Sequence, residues 1–179
     1  MTRLSPAFRY GRILCPAALV LVVAAFTAGP VQAELEGPSQ NDRYISQAVT
    51  FLLRQQHLSK HPLDDEMSQR AFDSFLKSVD PLKAYFLQSD IDEFATKKLD
   101  IDDATRKGDI NFAYTVFKRY LQRVEERAQM VKEILAETPD FNKDEVLVTD
   151  REVLKYPKNN EEARQLWTKR IKYDLLNQL

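Results

Sequence analysis

Apolar positions recur at three- and four-residue intervals along most of the chain, the signature of amphipathic helices. Tyr44, Ile45, Ala48, Val49, Leu52 and Leu53 make a first stripe, capped by Asn41 or Asp42 and running to about His57. A link containing Pro62 follows. Asp64 is placed to cap a second helix, with Asp65 and Glu66 in the first turn, where the helix dipole favours acid. Met67, Ala71, Phe72, Phe75, Leu76 and Val79 form its apolar face, to about Ser78. A third short helix is expected over about 90–98, with Ser89 as its cap and Asp92 as the acid of a capping box. A fourth covers about 100–107 and closes at Gly108. From Asp109, read as a cap, the period of 3.6 holds through Ile110, Phe117, Tyr120, Val124, Val131 and Ile134 to about Ala136. That spine would be roughly 40 Å long at ~1.5 Å per residue. Its other face is charged and includes Lys118, Arg119, Arg123, Arg127 and Lys132. The stripe carries many aromatics and no strict a/d seam, so a bundle is expected in place of a coiled coil. Pro139 ends the spine, and 141–157 reads as irregular with a short strand at 146–148. Asn159 or Asn160 caps a last helix whose apolar face is Ala163, Leu166, Trp167, Ile171 and Leu175. The expected fold is all-α: an irregular bundle of about five or six helices with one long spine.

The corner at 79–90 organises this pattern. The apolar face of the second helix arrives at Asp80-Pro81, where proline forbids helix continuation and biases Asp80 toward an extended backbone. Tyr85-Phe86-Leu87 follows and is too apolar to leave in water. Burying the three contributes very roughly 5 kcal/mol, at ~1.5–3 kcal/mol per large side chain. By itself such a corner marks a helical domain and no activity.

The N-terminus departs from the helical pattern. Arg3, Arg9 and Arg12 form a basic start with no acidic residue before Glu34, and an apolar run spans 13–28. Gly29-Pro30 and the small-residue pattern Val31-Gln32-Ala33 come next. This reads as a cleavable secretory signal over residues 1–33, leaving a flexible lead-in at 34–41 and the domain at 42–179. An uncleaved anchor is the alternative, although a run of about 16 residues falls short of the ~20 that span a bilayer. Lipidation at Cys15 is disfavoured because Leu14, not a small residue, precedes it. Cys15 is the only cysteine, so the exported part holds no disulfide and no thiol chemistry. Without the three arginines of the signal, the 26 Lys+Arg fall to 23 against 27 Asp+Glu, a net of −4. That mixed, mildly acidic balance argues against nucleic acid as a partner. Of four glycines only Gly37 and Gly108 lie beyond the signal, which excludes a glycine-rich phosphate loop.

Candidate chemistry is sparse. His57 and His61 have the i, i+4 spacing of a metal pair, but Pro62 pulls His61 out of the helical region and no third ligand is suitably spaced. Ser68 and Ser74 lie on a helix, without the strand-turn context that exposes a nucleophile. Lys83, near Asp80 and Tyr85, reads as an ion-pair partner and not a base. Asp64-Asp65, Asp102-Asp103 and Glu125-Glu126 read as solvated helix starts and faces, since adjacent helical residues do not face one another. Trp167 reads as core. No catalytic, cofactor-binding or metal residue is assigned, and no cofactor is expected.

Several marks in order resemble a known family: Leu63-Asp64-Asp65 with Ser68 and Phe72; the run from Asp80-Pro81-Leu82-Lys83 through Tyr85-Phe86-Leu87-Gln88-Ser89-Asp90-Ile91, with Phe94 after it; Phe141; Thr149-Asp150-Arg151; Tyr156-Pro157-Lys158-Asn159; and Leu166-Trp167 ahead of Arg170-Ile171-Lys172-Tyr173-Asp174-Leu175-Leu176. Over about 42–179 the chain resembles the N-terminal helical domain of the periplasmic tail-specific (carboxy-terminal processing) serine proteases. The resemblance implies a helical domain ahead of a PDZ domain and a protease domain with a Ser-Lys pair, acting on non-polar C-terminal tails without metal or cofactor. No residue here matches the catalytic Ser or Lys, so the chain alone is expected to be inactive and the PDZ and protease domains to be absent from it. A fragment, a truncated product and a freestanding domain all fit. The implied partners are protein substrates or an adaptor, and the PDZ and protease domains of a full-length enzyme. Membrane contact is expected only through the signal before cleavage. The alternative is a freestanding periplasmic helical module that binds a protein partner.

Overall fold

A computed structural model describes residues 37–56 and 62–178. The expected signal at 1–33, the first residues of the lead-in, and His57 and His61 lie outside the described residues. Among the described residues the fold is all-α, in six helices: α1 (Gln40–Gln56), α2 (Asp65–Val79), α3 (Gln88–Ala95), α4 (Ile101–Arg106), α5 (Asn111–Ala136) and α6 (Asn160–Leu176). α5 is the long spine, 26 residues or about 39 Å. α4 packs against α1 and α2, and α6 lies along α5.

The caps explain where the helices start. Asp64 accepts from the Met67 N–H at 3.0 Å, as expected. Asn159 accepts from the Glu162 N–H at 2.9 Å, and Glu162 reaches back to the Lys158 N–H at 2.8 Å. Three caps differ from expectation. α1 is capped by Ser39, not Asn41 or Asp42: the Ser39 hydroxyl accepts from the Asp42 N–H, and the Asp42 carboxylate accepts from the Ser39 N–H and hydroxyl. That reciprocal pairing satisfies two end donors at once, so helix begins at Gln40, inside the expected lead-in. α3 starts at Gln88, ahead of Ser89, because the Asp90 carboxylate reaches back to the Leu87 N–H at 2.9 Å. Asp109 accepts from the Asn111 N–H at 2.9 Å and supports the start of α5 from just outside it.

Gly108 closes α4 with φ +72°, and a Cβ there would come within 3.0 Å of the Arg43 carbonyl oxygen. Glycine therefore makes the turn and lets α1 approach. The strand expected at 146–148 does not form. Val146 is 75 % exposed, and among the described residues no strand stands beside it to complete a ladder.

The core sits where the corner meets α2, α3 and α5. Phe72, Leu76, Phe86, Phe94 and Val116 are all buried together, with Phe75, Ile91, Phe112, Tyr120 and Tyr156 packed around them. At the centre Phe86 is fully buried, edge-on to Phe94 at 5.5 Å and to Tyr120 at 5.9 Å. Tyr85 stands edge-on between Tyr120 at 5.1 Å and Trp167 at 5.6 Å, linking α5 to α6. Trp167 Nε1 donates to the Ala84 carbonyl at 3.0 Å, so α6 is bolted to the corner; Trp167, expected as core, is only partly buried there.

Candidate functional site

The corner is held by two buried carboxylates. Asp80 is 1 % exposed, and its oxygens accept from the N–H groups of Ala84 at 2.9 Å, Tyr85 at 3.0 Å and Phe86 at 3.1 Å. Those donors cannot join a helix, because Pro81 has ended it; the side chain replaces the missing backbone acceptors. The expected Lys83 ion pair does not form. With Asp80 engaged by three amides, Lys83 donates instead to the Leu154 carbonyl at 2.6 Å and lies over the Tyr156 ring at 5.7 Å. It thereby clips the irregular 141–157 segment to the corner.

Asp90, also 1 % exposed, is gripped from the spine. Arg123 donates through Nε at 2.8 Å and Nη2 at 2.9 Å, a two-pronged pair, and Arg119 adds Nη1. Burial pushes the Asp90 carboxyl upward, but the Arg123 hydrogen bond, the Leu87 N–H and the Arg119 hydrogen bond together bring it below its ordinary 3.8. The Arg123 guanidinium rises in turn, chiefly through the Asp90 hydrogen bond. One turn on, Arg127 is 1 % exposed; it donates to the Tyr85 carbonyl at 3.2 Å and to Asn160 Oδ1 at 3.1 Å. Burial draws its pKa down.

Arg119, Arg123 and Arg127 thus form a row facing the corner and α6, not the solvated face expected for them. Their spacing of four along α5 was the available sign, since it places them in one line on the helix. Their long apolar stems let the heads reach inward partners. Fixed charges of this kind brace the corner; a carboxylate held below its usual range and paired with arginines does not move protons near neutrality.

A second buried polar group joins α2 to α4. The Ser68 hydroxyl donates to Asp102 Oδ1 at 2.8 Å and accepts from the Asp102 N–H at 2.9 Å. Arg106 closes the group by pairing with Asp102. Asp102 was expected to be solvated and is 7 % exposed; Ser68 satisfies its backbone and side chain together. Asp103 remains exposed, as do Glu125 and Ser74. Glu126 pairs with Arg123 at 2.7 Å. Among the described residues no group of three or more His, Cys, Asp or Glu side chains is placed to hold a metal.

Next to Ser68 lies a cleft of about 320 Å³ between α1, α2 and α4, with Leu53, Met67 and Ile101 among its apolar walls. The α1 stripe continues outward from it. Tyr44, Ile45, Val49 and Leu52 are about half exposed, although they were read as a face turned to the core. α1 rests on α4, a helix of only six residues, which is too short to cover that stripe. No described helix is long and apolar enough to cross a membrane.

A family model, the tail specific protease N-terminal domain, matches residues 49–179. The tail-specific protease of Haemophilus influenzae is 31 % identical over 152 residues, covering 84 % of this chain and 22 % of the relative. The chain therefore spans about a fifth of that relative's length. The match takes in the Asp80 corner, the arginine row and the Ser68–Asp102 link. The chain belongs to the tail specific protease N-terminal domain family.

Proposed function

We propose that this chain is the N-terminal scaffold and docking domain of a periplasmic tail-specific serine endopeptidase, which cleaves proteins near their C-terminus. The family match over 49–179 carries the reading. Its polar chemistry supports it: Asp80, Asp90, Arg123 and Ser68 are all engaged in bracing helices against one another. In this reading the PDZ and protease domains of the full-length enzyme supply tail binding and peptide hydrolysis. The helical domain holds them and offers a surface for a protein substrate or an adaptor. Export through the signal at 1–33 places the enzyme in the periplasm.

A chimera tests this. Residues 42–179 replace the corresponding segment of the Haemophilus influenzae relative, and cleavage of an unfolded protein bearing an apolar C-terminal tail is followed. The expected result is tail-dependent cleavage by the chimera and none by the chain alone. A folded but inactive chimera, or turnover by the chain alone, contradicts the proposal. Mass analysis of the exported product, expected to lack residues 1–33, checks the compartment.

A further inference from the structure

We propose that the outward stripe of α1 is covered by a second copy of this chain, the two α1 helices pairing antiparallel about a two-fold axis at Ala48. The inference goes beyond the function proposed above and does not depend on it. It starts from the way α1 is turned. Asp42 accepts from the Tyr114 hydroxyl at 3.2 Å, Gln47 donates to the Lys107 carbonyl at 3.2 Å, and Thr50 is buried with its hydroxyl unpaired. These residues hold one side of the helix to the domain. Asn41, Tyr44, Ile45, Ala48, Phe51, Leu52 and Gln55 are all exposed. At 3.6 residues per turn they fall within about 60° of Ala48, on the side away from Thr50. Tyr44 and Phe51 are each 61 % exposed, and among the described residues nothing covers them.

The order of these residues selects the cover. A two-fold contact brings one surface against itself, so that surface must be self-complementary. Counted outward from Ala48, the stripe reads the same in both directions. Large apolar groups stand three residues away, Ile45 and Phe51, and four away, Tyr44 and Leu52; an amide stands seven away, Asn41 and Gln55. Antiparallel pairing therefore sets Tyr44 against Phe51 of the second copy, Ile45 against Leu52, and Asn41 against Gln55 at both ends. Ala48 meets itself at the axis, where its small side chain allows the ~8 Å approach of closely packed helices. Antiparallel order also opposes the two helix dipoles. Charge agrees with this arrangement. Asp42, Arg43 and Arg54 lie about 120° or more from Ala48, so the seam holds no like charges to repel. The same placement leaves the stripe without the bordering cations by which an amphipathic helix holds an anionic membrane. One helix per copy buries less than the ~1,200 Å² of a standard interface, so a reversible dimer is expected, with Kd on the order of 10–100 µM.

Sedimentation of the full chain from about 1 to about 300 µM tests the inference, with monomer expected at the low end and dimer at the high end. Ala48→Glu places two carboxylates at the axis and Ala48→Lys two ammonium groups. Ala48 is exposed and both replacements are good helix formers, so each variant is expected to keep the fold. Each should weaken the dimer at least about tenfold, and an equal mixture of the two should restore it. Ser74→Glu, at an exposed position of α2, should leave the dimer unchanged. Disulfide formation in a Cys15→Ser background reads the register: Ala48→Cys is expected to cross-link to itself and Asn41→Cys is not. A chain that stays monomeric at the highest concentration overturns the inference. So does association that survives Ala48→Glu, a mixture no better than either variant alone, or self-cross-linking of Asn41→Cys, which would mean parallel helices. A monomer that pelleted with phosphatidylglycerol vesicles would also overturn it and make the stripe a membrane face. None of these readouts involves a protease domain, so an inactive chimera would overturn the function proposed above and leave this result standing.

Discussion

The two ends of this bundle satisfy the same physical demands in opposite ways. At the Pro81 corner most of the buried polar groups find partners within the domain: Asp80 takes three amides, Asp90 takes two arginines, Phe86 is fully buried, and Arg127 is held through both Nη atoms while its Nε stays unpaired. At the α1 end a hydroxyl goes unpaired and a stripe of large apolar side chains faces outward. The first region is built to be rigid alone. The second leaves an apolar stripe that the described residues do not cover. A folded domain tolerates the second because the first supplies its stability, and a surface left unsatisfied is where affinity for another chain can be stored.

Substitutions should separate the two regions by size of effect. The largest is expected from Phe86→Ala, a loss of about 3–5 kcal/mol read from denaturant midpoints, since it opens a cavity among Phe94, Tyr120 and Val116. Next comes Asp90→Asn, with a loss of about 3 kcal/mol at neutral pH, the low end for removing one partner of a buried pair because Arg119 can turn toward water. This contribution carries a pH signature. A carboxylate held below its ordinary 3.8 stabilises the fold above that value and loses the contribution as pH falls through its depressed pKa. Stability should therefore fall steeply below about pH 4, and the fall should be shallower in Asp90→Asn.

Ser68→Ala should cost less, about 1–3 kcal/mol, by leaving the buried Asp102 N–H and carboxylate short of a partner. Smallest is the double substitution Ile45→Gln with Leu52→Gln, expected within about 0.5 kcal/mol of the parent because both side chains are already half in water. If that double change destabilised the domain as much as Ser68→Ala, the α1 stripe would be core and the contrast would collapse.

The well-read parts of the sequence are those where one residue type permits one outcome. Pro81 ends a helix, Tyr85-Phe86-Leu87 must be buried, and the period through Phe117 and Ile134 predicts the spine to within a residue or two. What was harder to read is polar. Arginines at 119, 123 and 127 look solvated until Asp90, Asn160 and the Tyr85 carbonyl are brought opposite them, and that requires the corner to be folded first. Asp102 and Ser68 are ordinary surface types, buried here only because each completes the other across α2 and α4. Leucine has no side-chain acceptor to announce a cap, so the start of α3 depended on Asp90 reaching backward. The α1 stripe misled in the other direction: periodicity reports an apolar face but not whether the same chain supplies its cover.

Native-state hydrogen exchange compares the two regions in one sample. The amides of Ala84, Tyr85 and Phe86, donated to Asp80, are expected to exchange only through global unfolding, while those of α1 open at a distinctly lower free energy. Corner amides exchanging as readily as those of α1 would contradict the account.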